Sequence, residues 1–208
     1  MVCLAQCPPA FEMRLEMSDH SGPFLLVNPD RCMGCLTCEV VCAVAHSRSG
    51  ALSAAMVAGE TLSPRNRVVQ VAATRFPTQC RQCEDAPCVR VCPTGATYQT
   101  ATYTAVNQKL CIACKLCMMV CPFGAIHISS VQVNSRSKPA AVKCDLCVDR
   151  ADGPACVAAC PTHAISLAHP RAVMNEANQD SAQRFLAALQ AQDRAANAVN
   201  RTTEGTSL

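Results

Sequence analysis

The chain has 208 residues, half of them nominally apolar, with 18 Cys, no Trp, two Tyr and a formal charge of +3 at neutral pH. Ala and Cys supply much of the apolar share, so large side chains suffice only for a thin core, and cross-linking by metal would have to supply what hydrocarbon does not. No apolar run approaches the roughly 20 residues of a membrane span, and no Arg/Lys patch interleaved with aromatics points to nucleic acid.

So many cysteines mean either a secreted disulfide scaffold or metal binding in a reducing compartment. The start lacks a charged stretch leading into an apolar one, and it lacks a twin arginine, so the expectation is a cytoplasmic protein with reduced thiols. Residues 1–22 hold Cys3 and Cys7, spaced C-x3-C ahead of Pro8 and Pro9, and match nothing later in the chain. They read as a loose N-terminal extension.

From Pro23 a unit repeats four times: a β-prone run, a cysteine loop, a helical turn carrying a fourth cysteine, and a second β-prone run. The first unit opens on a strand over 24–27 and holds Cys32, Cys35, Cys38 and Cys42, with Ala43 where the other units have proline. Between 47 and 63 the residues are small and polar, a surface loop, and 67–71 read as a strand leading into the second unit. That unit holds Cys80, Cys83, Cys88 and Cys92, widened by Glu84–Pro87. The third has strands at 102–106 and 125–128 around Cys111, Cys114, Cys117 and Cys121. A polar stretch, 129–140, reads as a connector to the fourth, where an insertion separates Cys144 and Cys147 from Cys156 and Cys160. Beyond His169 the apolar positions Ala182, Phe185, Leu186 and Leu189 share one face, predicting a helix over 176–199 that packs as a lid on its own domain or, alternatively, docks a partner subunit, with 201–208 frayed.

The third unit reads C-x2-C-x2-C-x3-C-P, the spacing of a bacterial [4Fe-4S] site in which three cysteines hold one cluster and the fourth reaches a second. Two-residue gaps let one tight loop aim three sulfurs into one pocket while its N–H groups turn towards the sulfides. A zinc ribbon needs only two cysteine pairs and has no use for the rest. Cys92-Pro93-Thr94-Gly95-Ala96, Cys121-Pro122-Phe123-Gly124-Ala125 and Cys160-Pro161-Thr162-His163-Ala164 echo one another, the mark of internal duplication. Four clusters, each with about two negative charges, would bring the net charge to roughly −5.

Other chemistries lack their signatures. No G-x-G pair offers a dinucleotide or phosphate loop, and no C-x-x-C is followed by His as c-type haem requires. His46, His127 and His163 lie near the motifs but read as ordinary polar positions, because no carboxylate constellation accompanies them. Lys115 reads as a solvated side chain. With no catalytic residues to name, the chain reads as a wire rather than an active site.

Two pairings of the motifs are open: sequential, or nested with the second motif joined to the third and the first to the fourth. The gap from Cys92 to Cys111 is 18 residues, about two strands and a turn, against 37 between Cys42 and Cys80, and this favours nesting.

The stretches Cys80–Cys88, Lys143–Cys147, Gly153–Cys156 and Cys160–Ala164 resemble the four-cluster ferredoxin-type subunits of bacterial redox complexes. These include the electron-transfer subunits of formate hydrogenlyase and hydrogenase-associated iron–sulfur proteins, the iron–sulfur protein of carbon monoxide dehydrogenase, and the β subunits of formate dehydrogenase and DMSO reductase. The match runs from about Pro23 to Ala168 and is sharpest in the hydrogenase and formate dehydrogenase branch. The resemblance implies an α+β fold of two dicluster halves, 23–46 with 139–170 and 77–130, with 47–76 connecting them and 171–208 as C-terminal helix and tail. It also implies the nested ligand sets: Cys32, Cys35, Cys38 with Cys160; Cys144, Cys147, Cys156 with Cys42; Cys80, Cys83, Cys88 with Cys121; and Cys111, Cys114, Cys117 with Cys92. Its expected role is to carry electrons between formate dehydrogenase or hydrogenase and a second redox partner. Service to carbon monoxide dehydrogenase is an alternative, and so is an accessory role in maturing a hydrogenase or molybdoenzyme.

Overall fold

Short ladders and single helical turns, strung between cysteine loops, make up the architecture. The computed structural model describes residues 22–134 and 136–204, so Cys3, Cys7 and nearly all of the expected extension lie outside the described residues. Strand β1 (Phe24–Val27) pairs antiparallel with the last strand, β8 (Ile165–Ala168), with Phe24 opposite Ala168 and Val27 opposite Ile165. Between them come three hairpins: β2 (Arg67–Val71) with β3 (Thr74–Thr78), β4 (Thr97–Gln99) with β5 (Thr104–Val106), and β6 (His127–Val133) with β7 (Arg136–Val142). A two-stranded ladder is marginal alone in water, so these ladders cannot carry the fold.

Each cysteine motif contributes a short helix: α1 (Thr37–Ala45), α3 (Pro87–Arg90), α4 (Leu116–Val120) and α5 (Ala155–Ala158), while α2 (Leu52–Val57) stands apart from the motifs. In the first motif the x3 spacing puts Cys38 and Cys42 one helical turn apart on α1, whereas Cys92, Cys121 and Cys160 lie just past the ends of their helices. Pro93, Pro122 and Pro161 follow the last three motifs, where the ring cannot continue the helix. Ala43 removes that stop, and α1 runs on to Ala45 with His46 as its C-cap. Helix α1 packs against α5, and α3 against α4.

The core is built of sulfur and small side chains. One buried cluster consists of Leu25, Cys38, Cys80, Cys144, Leu146, Cys156 and Ile165, the other of Ala86, Cys88, Cys117, Ile126 and Ala141. The largest fully buried side chains are Leu25, Gln79, Thr104 and Pro77, with no aromatic among them.

Three expectations are corrected. The stretch 129–140 is not a connector but most of the β6–β7 hairpin, whose Val133 and Arg136 pair across a two-residue turn. Asn134 enters that turn with φ 50°, as the primed hairpin turns require. Pro139 is tolerated because a two-stranded ladder leaves one side of each strand without a partner. The polar loop at 47–63 contains α2, formed around the fully buried Ala55. The C-terminal helix, α6 (Pro170–Glu204), starts six residues early on a proline suited to the first helical turn, and it continues through 201–204, where fraying was expected. It is no lid: Phe185, Leu186 and Leu189 are 65%, 56% and 41% exposed. Its Ala, Gln, Arg and Glu favour a helix by propensity, but its apolar stripe is too sparse to hold it down. No helix among the described residues is long and apolar enough to cross a membrane.

Candidate metal centres

In all four motifs the residue before the second cysteine is left-handed: Gly34 at φ 69°, Gln82 at 51°, Ala113 at 56° and Leu146 at 62°. For residues other than glycine this costs roughly 1–2 kcal/mol each, so the surroundings must enforce it. At the first motif glycine avoids this cost, and a Cβ on Gly34 would come 2.8 Å from Arg75 Cδ, so the Arg75 side chain would have to shift. Turns of this kind gather backbone N–H groups into an anion-binding concavity. Several N–H groups do point at cysteine sulfurs: Gln82 N to Cys80 Sγ (3.4 Å), Ala113 N and Ala141 N to Cys111 Sγ (3.4 and 3.3 Å), Thr97 N to Cys92 Sγ (3.4 Å) and Ala164 N to Cys160 Sγ (3.2 Å).

Three small cavities lie behind these loops. The first is walled by Cys32, Cys35, Cys38 and Cys160. The second is walled by Cys80, Cys83, Cys88 and Cys121, and the third by Cys111, Cys114, Cys117 and Cys92. Each therefore gathers three cysteines of one motif and the last cysteine of another. The sixteen described cysteines are all free thiols.

Cys42, Cys144, Cys147 and Cys156 form a fourth group. Burial pushes Cys156 up to about 12, and the nearby Cys42, Cys147 and Cys38 add to it. Burial also raises Cys144 well above the usual thiol range, with Cys156, Cys42 and Cys80 adding. Crowded, buried thiols of this sort stay protonated unless a cationic centre takes up their charge, which is the donor chemistry iron requires.

This group also holds what the motifs did not announce. The His46 ring lies between two of its sulfurs, with Nδ1 3.8 Å from Cys42 Sγ and Nε2 3.9 Å from Cys147 Sγ. A carboxylate does accompany it, contrary to expectation: Asp145 Oδ1 is 3.2 Å from His46 Nε2, and Arg65 Nη1 grips the other carboxylate oxygen. Burial works against the charged imidazole, yet Asp145, Cys147 and Cys42 together raise it to about 11. Burial works against ionised Asp145 too, but His46 and Arg65 hold it far below the usual carboxylate range. His46 reaches this place because Ala43 lets α1 continue, so the missing proline was the available signal. His127 meets only Ser63 Oγ, at 3.0 Å, and Lys115 is exposed, as expected.

Residues 71–169 match the family model described as a 4Fe-4S dicluster domain. Over 152 residues the chain is 49% identical to an iron–sulfur protein of Rhodospirillum rubrum, covering 69% of this chain and 80% of that protein. Over 151 residues it is 44% identical to the electron transport protein HydN of Escherichia coli K12, covering 68% and 85%. Formate hydrogenlyase subunit 2 of the same organism is 35% identical over 172 residues, covering 69% and 80%.

Proposed function

The chain belongs to the family of iron–sulfur electron-transport proteins with a 4Fe-4S dicluster domain, and from that premise we propose that it is a four-cluster wire between a catalytic redox subunit and a second redox partner. It carries electrons and catalyses no reaction itself. The observation that carries this reading is the gathering of twelve cysteines around three cavities, each mixing two motifs, with Cys144 and Cys156 in one buried cluster and Cys42 and Cys147 on either side of His46 as the fourth group. In each set the three cysteines of one motif and the last of another are the proposed ligands. Bound [4Fe-4S] clusters supply one-electron carriers at those positions.

Shared buried clusters favour one order. Cys38 of the first set, Cys144 and Cys156 of the fourth and Cys80 of the second pack in one cluster, and Cys88 of the second with Cys117 of the third in the other. The terminal sets are then the first and third, and each contains an exposed ligand, Cys35 and Cys114 respectively. Exposed Met33 and Leu36 flank one, and Ile112 and Met119 the other, apolar rims suited to docking redox partners. In this reading 23–46 with 139–170 form one dicluster half and 77–130 the other, supported by the β1–β8 ladder and the α1–α5 and α3–α4 contacts. The compartment is the reducing cytoplasm, where so many thiols remain available to iron.

The likeness to formate hydrogenlyase subunit 2 supports formate dehydrogenase or hydrogenase as the catalytic subunit. Tagged protein recovered anaerobically from its own cells should bring such an enzyme with it, and formate or H₂ should bleach the clusters' visible absorption. Clusters that stay oxidised with both substrates, in the presence of the recovered enzyme, would contradict the assignment of partner.

A further inference from the structure

Among the buried polar side chains of the described residues, Lys143 alone carries a formal charge, and it is 2% exposed. Its Nζ donates to Thr104 O at 2.5 Å and to Thr104 Oγ1 at 2.6 Å. Both acceptors are neutral, and among the described residues no carboxylate pairs with it. A buried ammonium without a counter-charge is costly, and proteins rarely retain one.

The lysine is nevertheless held with care. Thr104 Oγ1, having accepted from Lys143, donates to Gln82 Oε1 at 2.9 Å, and Thr104 N donates to the same oxygen at 2.8 Å. Gln82 Nε2 closes the loop on Cys144 O at 3.1 Å. Thr104 also lines the cavity walled by Cys80, Cys83, Cys88 and Cys121. Burial pushes Cys88 up to about 11, and Lys143 pulls against that shift, as it does for Cys83. The ammonium thus stands one hydrogen bond behind the wall of a site whose proposed occupant is anionic.

We propose that Lys143 is the buried counter-charge of the cluster held by Cys80, Cys83, Cys88 and Cys121, and that it raises that cluster's reduction potential. The step it favours is addition of one electron to the cluster, with no proton transferred and no bond broken. A positive charge fixed in a medium of low dielectric stabilises the more negative, reduced form. This rests on the cluster assignment above, and it makes Lys143 a positioning and tuning residue between the second and fourth sets, since it precedes the ligand Cys144 in the chain.

The test is an EPR-monitored redox titration of the anaerobically prepared full chain. The relevant signal is identified as the one missing from Cys121→Ser. In Lys143→Met and Lys143→Gln its reduced-to-oxidised ratio at fixed potential should fall at least tenfold, about 59 mV for a one-electron couple. Lys143→Arg should remain near the wild type. Unchanged potentials in the neutral variants, with iron retained, overturn the proposal. If the neutral variants lose iron, a loss confined to that cluster and rescued by Arg supports it; a loss spread over all clusters, or not rescued by Arg, overturns it. A wild-type chain without a cluster at Cys121 would count instead against the ligand assignment.

Discussion

Replacing Cys160 by Ser is expected to remove or convert the cluster held by Cys32, Cys35 and Cys38 while leaving the one held by Cys144, Cys147 and Cys156 intact. In sequence the change lies in the fourth motif, so a ligand set drawn from one motif alone predicts the opposite. The expectation rests on the cavity that Cys160 shares with the first motif, lined also by Pro161 and Thr162. Cys160 Sγ accepts from Ala164 N at 3.2 Å, and the β1–β8 ladder holds this turn against the N-terminal strand, with Val27 opposite Ile165. Iron content should fall by up to about four per chain, or by about one if a three-iron cluster survives, because each cubane needs a ligand at every iron. The Cys42→Ser variant is the matching control, expected to affect the cluster at Cys144, Cys147 and Cys156. Loss of the latter cluster in Cys160→Ser, with the first motif's cluster spared, would reverse the pairing.

Stripping the iron should cost the protein its fold. The buried set is dominated by cysteine, alanine and a few aliphatic side chains, and the ladders are two-stranded throughout. Without clusters, the crowded thiols of Cys38, Cys88 and Cys156, already pushed up to about 11, 11 and 12 chiefly by burial, contribute little beyond small apolar surface. Six non-glycine residues of the cysteine loops, Leu36, Gln82, Ala113, Lys115, Leu146 and Cys147, are left-handed and add strain that the surroundings must offset. Binding free energy at such sites is folding free energy. Chelation under reducing conditions should therefore abolish the cooperative thermal transition and open residues 23–168 to protease. An iron-free chain that still melts cooperatively would show that the core suffices by itself.

Motif spacing made the cysteine loops, the helical turns behind them and the likeness to cluster proteins legible before any coordinates, because ligand geometry dictates that spacing directly. Ala43 was legible as a departure, but its consequence was not: whether a helix that loses its stop brings His46 to Asp145 depends on where residue 145 lies, 99 positions away. Lys143 was equally hidden. A lysine in this sequence reads as solvated until the fold covers it, and its partner Thr104, on β5, is 39 residues away, held in turn by Gln82 of the second motif. The β6–β7 hairpin was missed because Ser129, Ser130, Gln132 and Ser137 dilute its alternation, while pairing over seven residues overrides their weak propensity. Helix α6 shows the converse. Its periodicity was read correctly as helical, but four apolar positions on one face could not say whether anything in the chain would cover them.

Whether sixteen thiols hold four cubanes is measured most directly as iron and acid-labile sulfide per chain on anaerobically prepared protein, with Mössbauer spectroscopy to type the iron. About sixteen of each, all as [4Fe-4S], is the expected result. About eight irons, or zinc in their place, would contradict it.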